Sequence, residues 1–194
     1  MKIQTITKTA LGAAVMGLIF SVIQLVTLAI RLAEAGSPWT RIALILFSGM
    51  KWVYIGLIIL FALIIFRPQS VAKGAWALGI CSVLQLILSA WNVYLFFSDP
   101  EWVELLGSNI YFVLVELAVP ITLLVFSILL AAKNRGAALR LTSLLTGLAL
   151  LVSIMYQAFF YGQFDVFTIF DIVSAAFIAQ WFWMLFLEWK TLKI

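Results

Sequence analysis

The sequence predicts an all-α fold, a polytopic bundle of six transmembrane helices with both termini on the cytoplasmic side. Three observations predict it. Of 194 residues, 65% are apolar and 10% are charged, whereas a soluble domain is about a quarter charged. The apolar residues gather into six runs, each near the ~20 residues that a helix needs to cross the hydrocarbon. The short connectors between the runs alternate in charge.

The runs are 9–33, 42–66, 74–97, 110–132, 141–161 and 166–189, and the chain 1–194 reads as one transmembrane domain. The first run places the small residues Ala10, Ala13, Ala14, Gly17 and Ser21 where a second backbone can come close. Gln24 and Arg31 continue that face, and Arg31 is near enough to the end to snorkel to the interface. Ala33-Glu34-Ala35 has the small-x-small form of a signal cleavage site. The run is longer than the ~7–15 residues of a signal core, so a retained helix is expected.

The second run carries Lys51. The third has the clearest polar stripe, Gly79, Ser82, Gln85, Ser89 and Asn92, at spacings that fall on one helix face. Its Ser82-Val-Leu-Gln85-Leu86 repeats Ser21-Val-Ile-Gln24-Leu25 of the first run at an offset of 61 residues. A duplicated hairpin and shared packing constraints both account for the match. Cys81, the single cysteine, sits in apolar sequence and is expected to pack as a small hydrophobe.

The fourth run carries Glu116 and Pro120. Proline has no N–H, so the carbonyl four residues earlier, that of Glu116, loses its helix bond. The fifth run has Thr142, Thr146, Ser153 and Gln157 on one face, and the sixth has Asp171 and Gln180. The four-residue connector 162–165 predicts a tight hairpin between the last two helices.

Basic residues in short loops set orientation. Lys2, Lys8, Arg67, Lys73, Lys133, Arg135, Arg140, Lys190 and Lys193 fall on one side, which is therefore expected to be cytoplasmic. The opposite connectors hold Glu34, Asp99, Glu101, Glu104 and Asp165 against Arg41 alone. Trp39 and Trp102 are expected in the outer aromatic belt, and Trp76 and Trp189 in the inner one. The expected location is the plasma membrane of a prokaryotic cell.

Several function classes are excluded. There is no histidine, so a histidine-based nucleophile is impossible and a zinc or haem site lacks its usual ligands. No cofactor and no nucleic-acid partner are expected. Intramembrane charges cost ~2.5–3.5 kcal/mol each on insertion scales and usually mark function. Counted from their helix starts, Glu116, Asp171 and Lys51 lie at similar depth in the outer half. Gln24, Asn92 and Gln157 fall in the outer half of their own helices. With Gln85, these residues form the candidate ligand or ion-pair cluster.

Two readings follow. One is a small-molecule binding or transport subunit with an outward-facing polar pocket for a small polar or anionic ligand. The other is a structural or regulatory subunit of a larger membrane complex, with the charges fixing helix register. Acid–base chemistry by Glu116 and Asp171 is a third, but no paired-aspartate motif or phosphate-binding glycine loop is present. In general build the chain resembles the substrate-binding subunits of energy-coupling-factor vitamin transporters, also small six-helix proteins. Ala10-x-x-x-Ala14 resembles their small-residue contact motif, although small-xxx-small is common in membrane helices generally. The resemblance implies other membrane subunits as partners besides the lipid bilayer.

Overall fold

The structure is a computed structural model that describes residues 3–32, 50–98, 110–133, 136–161 and 166–188. The described residues form six α-helices: α1 (Ile3–Leu32), α2 (Lys51–Phe66), α3 (Val71–Ser98), α4 (Ile110–Ala131), α5 (Ala137–Tyr161) and α6 (Val166–Glu188). Among the described residues there is no strand, so the fold is an all-α bundle. Five helices are long and apolar enough to cross a membrane. The sixth, α2, has 16 described residues, and positions 42–49 of its expected run lie outside the described residues, as do Trp39, Trp102, Trp189 and the Ala33-Glu34-Ala35 segment.

The odd-numbered helices start earlier than the apolar runs, at Ile3, Val71 and Ala137. Helical hydrogen bonding continues through a polar first turn, whereas an apolar count stops there. Lys73 and Arg140 are thus helical residues and not connector residues. Between α2 and α3 the chain makes a 3₁₀ turn, Pro68–Ser70, closed by the Ser70 N–H donating to the Arg67 carbonyl at 2.8 Å. After α4, Lys133 adopts a left-handed conformation (φ 54°), the usual way to end a helix.

Each helix packs on its sequence neighbours, and α6 packs back on α1, which closes a ring. The surface is apolar, unlike that of a soluble protein. The buried face of the helices holds an apolar core, including Leu57, Leu60, Leu78 and Leu123, and with it Thr7, Ser21, Ser82, Gln85, Ser89, Ser127, Ser143, Thr146, Ser153 and Ser174. The exposed face holds residues such as Ile30, Ile80, Leu114, Leu141, Val152 and Ile169. Water does not tolerate so continuous an apolar surface, and lipid does. The apolar helices are those of an integral, multi-pass membrane protein.

The "terminal end" is the end where α1 begins and α6 finishes. Toward that end the ring is filled by aromatic side chains. Trp181 of α6 meets Phe61 of α2 at 4.9 Å and Phe126 of α4 at 6.2 Å, both edge to face, and Phe126 meets Phe182 at 5.1 Å. The Trp181 indole Nε1 donates to Thr7 Oγ1 of α1 at 3.0 Å, so its one polar atom is satisfied in an otherwise apolar layer.

Candidate functional site

The three intramembrane charges, Lys51, Glu116 and Asp171, are all half-buried. Contacts between neighbouring helices give each of them its surroundings. Ser89 of α3 donates a hydrogen bond to the Glu116 carboxylate, and Gly79 of α3 sits against Ser127 of α4. Gly56 of α2 lies against Leu78 and Cys81 of α3, and Gly74 against Leu60 and Leu63. Extending that antiparallel pair brings Lys51 level with Gln85. Gly17 of α1 faces the ring of Tyr54 in α2. The Thr7–Trp181 bond and the Phe20–Phe170 stack at 4.4 Å then bring Asp171 to the same level.

Glu116 thus lies beside Ser89, Lys51 near the level of Gln85 and Asp171 near that of Tyr54. Asp171 is near enough to Tyr54 for its charge to act on the phenol, and Tyr54 is buried at 3% exposure.

Toward the terminal end the buried hydroxyls serve their own helices. Ser127 donates to the Leu124 carbonyl at 2.7 Å, Ser143 to Arg140 at 2.8 Å and Thr146 to Thr142 at 2.8 Å. Above the aromatic layer the pattern changes. Gln85 Oε1 and Ser153 Oγ are buried with no hydrogen-bond partner, although the residues are only 6% and 1% exposed. The Gly147–Ala179 contact and the Arg140–Phe186 bond fix the α5–α6 register, which puts Ser153 level with Ser174.

The other residues singled out from the sequence fall as follows. Ala10, Ala13, Ala14, Gly17 and Ser21 are buried. Gln24, expected on that same face, is exposed. The 61-residue match therefore pairs a buried serine, Ser21, with a buried serine, Ser82, but an exposed glutamine, Gln24, with a buried one, Gln85. Asn92 is half-buried and engaged with a neighbour. Pro120 is buried inside α4. The side chains of Gln157 and Arg31 lie outside the described residues.

Sequence reading missed Tyr54, Thr7 and the aromatic layer. A signal for the layer was present. Lys51, Glu116 and Asp171 are each followed ten residues later by Phe61, Phe126 and Trp181, a spacing of ~15 Å along a helix. Outside the ring, α5 and α6 leave a groove of about 240 Å³ lined by Leu148, Leu151, Ala176, Gln180 and Trp183 among others. Compared with known proteins, the chain matches no family model, no curated protein and no solved structure.

Proposed function

We propose that this membrane protein is a small-molecule binding or transport subunit whose polar pocket faces outward, between the helices and above the aromatic layer. The observation that carries the reading is where hydrogen bonding is incomplete. A buried polar group without a partner costs on the order of 1–3 kcal/mol, and natural structures rarely retain one without a use for it. Gln85 Oε1 and Ser153 Oγ are two such groups, and both lie in the half that holds Lys51, Glu116 and Asp171. In this reading Lys51 receives an anionic or polar group of the ligand. Glu116 and Asp171 pair with it, bind a cation or carry a proton. The layer around Trp181 is a floor, which favours binding from one side over free passage.

The test is thermal unfolding of the purified full chain in detergent against amino acids, small carboxylates and small amines. A saturable rise in the unfolding midpoint with one class is expected, and Lys51→Met or Asp171→Asn abolishes it. Binding at a hundred times Kd stabilises by ~2.7 kcal/mol, which is roughly 5–10 °C for a chain of this size. If no class stabilises the wild type, yet Lys51→Met and Asp171→Asn are coupled by ~0.5–3 kcal/mol in a double-mutant cycle, the charges are structural and the binding reading fails.

The second reading, a structural or regulatory subunit, has its own observation. Gln180 is exposed in the apolar α5–α6 groove, and a side-chain amide in lipid gains from a hydrogen bond to a neighbouring helix.

A further inference from the structure

The contact between α3 and α4 brings several oxygen acceptors together. Ser89 and Glu116 are joined by a hydrogen bond. One turn toward the terminal end, each helix carries an incomplete acceptor. On α3 it is Gln85 Oε1, in a side chain 6% exposed and without a partner. On α4 it is the Glu116 carbonyl, because Pro120 stands four residues on and has no N–H to give it. Thr122 does not reach back to it, since its hydroxyl bonds the carbonyls of Ala118 and Val119 at 2.8 and 3.1 Å. The antiparallel register that joins Ser89 to Glu116 also brings Gln85 level with Pro120.

We infer that Glu116, Gln85, Ser89 and the carbonyl released by Pro120 form a site for a monovalent alkali cation, Na⁺, between α3 and α4. The inference rests on the binding reading above and gives it a coupling ion. Chemistry selects the ion class. Hard cations take oxygen ligands, and all four groups offer oxygen. Calcium and magnesium sites generally use several carboxylates or phosphates, and here one carboxylate is joined by neutral oxygens. Among the described residues no group of three or more Cys, Asp or Glu is placed to hold a metal. A single positive charge neutralises Glu116 in an apolar setting, where an unbalanced carboxylate is costly. Carbonyls freed at a helix break are a recurring way to hold Na⁺ inside a membrane.

The experiment compares unfolding midpoints of the full chain in detergent as NaCl replaces choline chloride at constant ionic strength. The expected result is a saturable rise of about 2–6 °C, smaller with KCl, lost in Glu116→Gln and Gln85→Leu, and kept in the groove variant Gln180→Leu. Pro120→Ala is the most diagnostic variant. It restores an N–H to the Glu116 carbonyl, so it should melt higher than wild type in choline and respond less to sodium. Isotopic sodium binding to the wild type gives a reading that does not depend on any variant folding. A linear response shared by every variant, or one that emerges only in Lys51→Met, overturns the site; the latter assigns Lys51 as the counter-ion of Glu116. Failure here with an organic stabiliser in hand removes the cation site alone, and failure of both removes the binding reading too.

Discussion

Gly17 and Tyr54 show how much one atom decides. A Cβ built on Gly17 would lie 2.6 Å from two carbons of the Tyr54 ring, and Tyr54 is only 3% exposed. Gly12, on the same helix, has nothing within 4 Å of its would-be Cβ. Gly17→Ala should therefore lower the unfolding midpoint, as overpacking costs ~1–3 kcal/mol, and Gly17→Leu should lower it further. Gly12→Ala should leave it unchanged or raise it, since alanine is the better helix former by ~1 kcal/mol. Equal effects at the two positions in detergent melts would refute the Gly17–Tyr54 contact. The small stripe on α1 was legible as a place of close approach. That its neighbour is a tyrosine beside Asp171 was not, because Tyr54 belongs to another helix and reads from sequence as one aromatic among many.

At the scale of elements, Arg140 ties the start of α5 to the end of α6. Its Nε donates to the Phe186 carbonyl at 2.8 Å, and its guanidinium lies 4.7 Å from the centre of the Phe186 ring. That carbonyl is in the last turn of α6, where carbonyls lack helical partners and the helix dipole favours a cation. Arg140→Ala should lower stability by about 1–3 kcal/mol through loss of a charged hydrogen bond. Arg140→Lys should recover part of it, because lysine keeps the charge but not the planar donor and stack. Identical melting of wild type and Arg140→Ala would show the tie to be inert. The apolar count put Arg140 in a connector, since hydropathy registers lipid and not hydrogen bonding. Helix existence was legible for the same reason that helix ends were not.

At the scale of the molecule, sequential packing with α6 against α1 yields an up-and-down ring, and the even-numbered helices all run from the far end to the terminal end. The charge bias predicts that the terminal end is cytoplasmic. Single cysteines at Ser37, Ser70 and Ser98 in a Cys81→Ser background test this with an impermeant thiol reagent added to intact cells. Positions 37 and 98 should label and position 70 should not; labelling of 70, or protection of the other two, inverts or breaks the topology. The ring also explains why a polar column exists. Six helices closed around a centre leave an interior that side chains must fill; Phe61, Phe126, Trp181 and Phe182 crowd it toward the terminal end, while Gln85, Ser89, Ser153 and Ser174 lie among apolar side chains toward the other.

The sequence by itself determined the solvent and the class of fold, since lipid imposes a length and a polarity on each helix that composition records directly. It also placed Lys51, Glu116 and Asp171 inside the apolar runs, because charge is conspicuous where almost none occurs. Only the tertiary structure decided their neighbours, the joining of Ser89 to Glu116, the exposure of Gln24 against the burial of Gln85, and the closing of the far half by an aromatic floor. Each of these depends on the vertical offset between neighbouring helices. That offset is set by where a glycine admits a ring, a backbone or a hydroxyl, at Gly17, Gly56, Gly74 and Gly79, and a contact between two helices leaves no periodic trace in either one alone.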